Sequence, residues 1–256
     1  MSPTNTNTCN STNDVGYMAA GDVEKGRTGY LERAVTPGGH PVDYSQPAIP
    51  VQHRRFGNPI PIGLIAFSMA FLMTGLLTLG VRGIKAPIGV LSSLMFFVGI
   101  TQTLVGWFEM FIGNTFSATI FCAFGGFCFS YVGFFLPSMG IVDAFTDKAT
   151  GEVSPDFANS IGVFLAIWAG ITFLFLLAAL RSSVAIILVL FMAMMAFVFL
   201  AAVQFTGGAP GVTKAAGAFC LMDAACGFYA AMAGYWTPDT TYAFIRCDPI
   251  DLSPKD

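Results

Sequence analysis

The sequence predicts an all-α polytopic membrane protein with six transmembrane helices per chain. Six apolar runs, at 60–80, 86–108, 116–136, 157–180, 182–205 and 215–236, carry a single formal charge among them, Asp223. Each is near the ~20 residues that cross a bilayer core as a helix. Of the 256 residues 55% are hydrophobic and 11% charged, against about 25% charged in ordinary soluble domains. A soluble helical core would need helices with a polar outer face, and the stretches 161–180 and 184–202 are apolar all round. A membrane β-barrel would alternate apolar and polar residues over about ten positions, and no segment does so.

Residues 1–55 are polar and rich in Thr, Asn, Gly and Pro, with no early apolar stretch. This predicts a disordered leading tail that is neither signal peptide nor span; its Asn10-Ser11-Thr12 reads as a chance glycosylation sequon. The first span opens with Asn58-Pro59-Ile60-Pro61-Ile62-Gly63-Leu64. Two prolines remove backbone donors, which fits either an irregular start lining a cavity or a plain start, since proline is favoured in the first helical turn. In the second span Gly99, Gly106 and Gly113 recur every seven residues and predict one face for close approach of a neighbouring helix. Gln102 and Glu109 share that spacing on a nearby face; Glu109 reads either as an anchor at the helix end or as a charge- or proton-handling group beside a pathway. The third span begins after Asn114 and Thr115. An acidic loop at 137–156 separates it from the fourth, while the other connections are short and predict antiparallel neighbours.

The sixth span contains Asp223, with eight residues of the run before it and thirteen after. An intramembrane carboxylate there is expected to handle charge or protons, or to face water or a partner subunit. Six spans put both termini on one side. Counting charges does not choose the side, because Arg54, Arg55, Arg181 and Arg246 lie opposite Arg82, Lys85, Lys148 and Lys214.

The net charge of −3 implies no nucleic-acid partner. Cys122, Cys128, Cys220 and Cys226 fall in apolar runs, and Cys9 and Cys247 in the tails, without metal-ligand spacing. They read as small apolar side chains, with neither metal nor cofactor expected. His40 and His53 both lie in the tail, and no nucleophile motif, histidine-linked carboxylate pair or phosphate loop is present in the sequence. These features point away from an enzyme.

The opening motif resembles the Asn-Pro-Ala-Pro-Leu-Gly-Leu signature of the acetate uptake transporter family, the succinate–acetate permeases. A second block agrees in order and spacing: Gly99, Gln102, Gly106, Glu109, then Gly113-Asn114-Thr115-Phe116, Thr119 and Phe124-Gly125-Gly126-Phe127. His53-Arg54-Arg55-Phe56-Gly57 and Thr237-Pro238-Asp239 resemble the fungal branch. The resemblance covers residues 53–245. It implies a hexamer in the plasma membrane with a separate anion pathway in each subunit, a transmembrane domain at 56–238, and cytoplasmic tails at 1–55 and 239–256. It places the narrowing aromatics on Phe67 and Phe124, and the third narrowing residue, usually leucine, on Ala193. Asn58, Pro59, Pro61, Gly63, Gln102, Asn114 and Thr115 fall at the substrate-binding or entrance positions.

Cys128 stands where the family usually has Trp, and Gly227 where alanine is usual. The lost bulk, with Ala193, predicts a neck that admits longer or branched acids. An apolar neck suits a neutral acid, or a carboxylate escorted by a proton, because a desolvated unpaired carboxylate costs several kcal/mol. The expected substrates are therefore acetate and other small carboxylates, together with protons. A membrane regulator of the acetate response that transports little, and a channel for ammonia or another neutral solute, are the alternatives. An aquaporin-like pore would need a second Asn-Pro-Ala half-helix, and the chain has one Asn-Pro.

Overall fold

The computed structural model describes residues 57–84 and 86–247. The tail at 1–55, His40, His53, Arg54, Arg55, Phe56, Lys85, Cys9 and residues 248–256 lie outside them.

Six helices are long and apolar enough to cross a membrane: α1 (Ile60–Thr78), α2 (Pro87–Phe111), α3 (Thr115–Gly133), α4 (Pro155–Ala179), α5 (Val184–Phe205) and α6 (Pro210–Tyr235). Their starts follow from local chemistry. Pro61, Pro155 and Pro210 occupy first-turn positions, where a missing N–H removes nothing from the helix. Asn114, Ser154 and Ser183 begin α3, α4 and α5 by accepting hydrogen bonds from the backbone N–H groups of Ser117, Asp156 and Ile186. Each satisfies a donor that the first turn cannot pair internally.

The second span is not a uniform helix. Pro87–Gly89 form a 3-10 turn, Ser93–Gly99 are π-helical, and regular α-helix resumes at Ile100–Phe111. The glycine spacing predicted one face carrying Gly99, Gly106 and Gly113, and the structure corrects the third member. Gly113 lies beyond the helix end at φ +87°, in the left-handed region that favours glycine. Its N–H donates to the Met110 carbonyl at 3.2 Å, and Asn114 N–H to the Glu109 carbonyl at 2.9 Å. That pair of bonds closes a helix with a C-terminal glycine. Gly99 and Gly106 do meet α3, against Phe129 and against Cys122 with Ala118.

Helix α1 packs along α6 and also against α2; α2 packs on α3, and α4, α5 and α6 follow one another. The 137–156 connection holds a helical turn at Ile141–Ala144 and an antiparallel bridge between Thr146 and Val153. Phe96, Leu174 and Phe111 are well exposed on the outside of the bundle. Backbone hydrogen bonds satisfied inside each helix, with apolar side chains facing outward, are what a hydrocarbon solvent demands.

Candidate functional site

Two cavities occupy the bundle from opposite ends. The larger, about 470 Å³, is reached by the ends of α1, α3 and α5 and the starts of α2, α4 and α6, through Thr78, Pro87, Phe135, Phe157, Gln204 and Thr213. The smaller, about 230 Å³, lies among the starts of α1, α3 and α5, lined by Ile60, Leu64, Phe116, Ser117, Ser182 and Ile186 among others. Only Phe67 and Phe124 line both. Their rings stand edge to face with centroids 5.2 Å apart, so they form a septum between the two spaces.

The septum is fixed by a cluster of aromatic side chains. Phe124 stacks on Trp168 of α4 at 6.2 Å and on Phe197 of α5 at 6.3 Å, and meets Phe175 at 5.9 Å. Phe67 lies 4.8 Å from Phe71, and Phe127 packs 5.0 Å from both Trp168 and Phe197. Separations of 4.5–7 Å are where aromatic pairs attract, each by about 0.5–1.5 kcal/mol beyond area burial. Of these residues the sequence named Phe67 and Phe124 as narrowing aromatics, and Phe127 as part of the matching block. Phe71, Trp168 and Phe197 sit in helices apolar on every side, where periodicity marks no inner face.

Gln102 is fully buried and lines the larger cavity, and neither amide atom has a hydrogen-bond partner among the described residues. An amide buried without partners costs about 1–3 kcal/mol. Thr74, Tyr131 and Gln204 add polar atoms to the same wall. Ala193 is fully buried and lines neither cavity, whereas Cys128 lines the larger.

The start of α1 is a plain helix start. Pro59 has helical backbone angles, φ −83° and ψ −12°, and Asn58 Oδ1 accepts the Ile60 N–H at 3.0 Å. Asn58 is exposed, while Pro61 and Gly63 are buried. A Cβ on Gly63 would lie 2.6 Å from the Phe121 ring, so this position brings α1 onto α3. Asn58 therefore holds by its backbone a residue, Ile60, that lines the smaller cavity.

Asn114 joins α2 to α3. Its Nδ2 donates to Glu109 Oε2 at 2.5 Å and to Ser117 Oγ at 3.0 Å, while its Oδ1 accepts the Ser117 N–H at 3.3 Å. Glu109 is buried at this helix end and lines neither cavity; its Oε1 has no partner among the described residues. Thr115 is exposed, one residue before Phe116 in the smaller cavity's wall.

Asp223 corrects an expectation. It faces neither water nor the outer surface of the chain, being fully buried, with both carboxyl oxygens lacking partners among the described residues. It shares the α6 face of Cys220 and Gly227, which pack on Gly75 and Ser68 of α1, and it lines neither cavity. The reason is the closeness of this helix pair: small residues on both sides draw α1 and α6 together and enclose what lies between them.

The sequence matches the GPR1/FUN34/yaaH family over residues 42–253. The chain belongs to this family. It is 32% identical over 207 residues to Ammonia transport outward protein 2 of Saccharomyces cerevisiae, covering 81% of this chain and 71% of that protein. It is 33% identical over 210 residues to Acetate permease A of Emericella nidulans, covering 80% and 70% respectively. Among solved structures it resembles the bacterial acetate channel SatP, with a TM-score of 0.59 and 28% identity over 71% of this chain and 93% of that one. The fold is thus that of an all-α integral membrane protein of a transporter family.

Proposed function

We propose that this family member is a membrane passage for acetate and related short-chain carboxylates, which cross as the neutral acid or together with a proton. The septum carries the reading. Two cavities reach toward each other from opposite ends of the bundle, and the wall they share is Phe67 and Phe124. Such a wall offers a carboxylate no charge and no hydrogen bond, so leaving it ionised there costs several kcal/mol. A neutral acid, or one accompanied by its proton, avoids that penalty.

In this reading Gln102 offers amide hydrogen bonds to the substrate on the larger-cavity side. Asn58, Pro59, Pro61 and Gly63 shape the rim of the smaller cavity with Asn114 and Thr115, each lying within a few residues of its lining. Glu109 holds Asn114, and Asp223 is a site for charge or proton handling. Residues 56–238 form the transmembrane domain, with 1–55 and 239–256 as cytoplasmic tails, in a hexamer at the plasma membrane. These assignments of assembly and orientation are supported by family membership and by the even number of spans.

The test is uptake of labelled acetate by proteoliposomes across a series of external pH values. Uptake should rise as pH falls toward the acid's own pKa, and no flux above empty vesicles at any pH would refute the reading. The relative named for outward ammonia transport supports a second solute class, since a neutral amine also crosses an apolar wall without desolvating a charge. Lumenal alkalinisation by ammonia, measured in the same vesicles, separates the two.

A further inference from the structure

We propose that Phe197 is the third wall of the septum and sets the size of acid that passes, the role that family resemblance puts at position 193. This rests on the carboxylate-passage reading above. Ala193 ends at its Cβ, is fully buried and touches neither cavity. Phe197 lies one turn further along the same face of α5, is 2% exposed and lines the larger cavity.

Phe197 closes a circuit of four rings. Phe67 is 4.8 Å from Phe71, Phe71 is 5.6 Å from Phe197, Phe197 is 6.3 Å from Phe124, and Phe124 is 5.2 Å from Phe67. Three helices contribute: α1 gives two rings, and α3 and α5 one each. A solute leaving the smaller cavity between Phe67 and Phe124 meets Phe71 and Phe197 in the wall of the larger one. Phe197 also packs against Phe127 at 5.0 Å with their planes 75° apart, so its ring cannot turn aside without disturbing a second ring.

The bulk missing at position 193 is thereby returned one turn away, in a flatter and stiffer form. A passage walled by phenyl faces admits a planar carboxyl bearing a methyl or ethyl group, and it excludes an acid branched at the carbon next to the carboxyl. The neck is therefore narrower toward branched acids than the residue at 193 alone implies.

The experiment compares uptake of labelled acetate and isobutyrate by the full-length protein in proteoliposomes, for wild type and for Phe197→Ala, Phe197→Leu, Phe197→Trp and Ala193→Leu. Phe197→Ala should raise the isobutyrate-to-acetate ratio about tenfold, the lower end of what one methylene is worth in an apolar pocket. Phe197→Leu should raise it less and Phe197→Trp lower it. Ala193→Leu should reduce stability by overpacking and leave the ratio unchanged. Should Phe197→Ala fail to fold, the opposite shifts required of the Leu and Trp variants decide the matter. Wild-type acetate flux combined with an unchanged ratio in the Phe197 variants, or a comparable shift in Ala193→Leu, overturns this inference alone. Absence of wild-type acetate flux refutes the passage reading and this inference with it.

Discussion

Replacing Gly125 by alanine probes how closely α3 must approach α2 for Gln102 to stand where it does. A Cβ at Gly125 would lie 2.9 Å from the backbone nitrogen of Thr103 and 3.1 Å from the carbonyl oxygen of Gly99, with the Thr103 hydroxyl nearer still. Ordinary contact begins at 3.4 Å, so the two backbones must part by about half an ångström. A hydroxyl can rotate away, but an amide nitrogen inside a helix cannot. Overpacking of this kind costs about 1–3 kcal/mol. Alanine also gains about 1 kcal/mol over glycine as a helix former, and the control for that gain is the next residue. A Cβ on Gly126 would meet nothing within 4 Å, so Gly126→Ala collects the propensity gain alone. The stability difference between the two variants then isolates the overpacking, about 1–3 kcal/mol in favour of Gly126→Ala. Thermal unfolding of the purified protein in detergent measures it. Gly125→Ala should also lower acetate uptake, since Gly99 and Thr103 flank Gln102 on the helix being displaced. Equal stabilities, or a greater loss from Gly126→Ala, would show that α2 is not the neighbour that requires glycine at 125.

Gln102→Leu should hold or raise thermal stability, because the amide has no partner to lose among the described residues, and should reduce acetate uptake; unchanged uptake removes Gln102 from the pathway. Asn114→Ala deletes the α3 cap and the partner of buried Glu109, a loss of about 2 kcal/mol or more from a cap near 1 and an orphaned acceptor of 1–3. Glu109→Gln keeps an oxygen for Asn114 and should be near neutral in the same melt. Asn58→Ala should lower stability by about 1 kcal/mol through the lost bond to Ile60, and an uptake loss beyond that marks the entrance role. Asp223→Asn removes a buried carboxyl that has no ionisable group opposite it on α1 or α5, with Cys220 and Cys226 within a turn of it on its own helix. It should leave the melting temperature close to wild type, because a carboxamide in the same enclosed space is as short of partners as the carboxyl it replaces, and a pH profile of uptake matching wild type would exclude a proton role.

The membrane helices were legible because a span is defined by what it lacks. One charge in six long runs leaves the chain no soluble alternative, and membrane depth then dictates helix. Spacing was a poorer guide within the spans. Gly113 follows Gly106 by seven residues as Gly106 follows Gly99, yet the helix ends at Phe111 and Gly113 is its terminator; the Gly113-Asn114 pair after an apolar run carried that signal. The π-helical stretch Ser93–Gly99 has no pattern of its own in the sequence. Asp223 was conspicuous as a charge, but its complete enclosure depends on glycines and small residues of α1 and α6 meeting face to face, which no single segment reveals.

The septum shows where such reading stops and why. Phe67 and Phe124 were named through resemblance, whereas Phe197 was one of 26 phenylalanines in a helix whose every side is apolar. In water an inward face is marked by contrast with polar residues outside, but in lipid that contrast is gone, and only the packing of α1, α3 and α5 selects one ring. Resemblance also carries a position and not a volume: it points to 193, where Ala193 reaches neither cavity, while Phe197 one turn further along α5 lines the larger. The residue proposed to select among acids is therefore found by following ring contacts across helices, and the uptake ratios of the Phe197 and Ala193 variants decide which of the two positions sets the width of the neck.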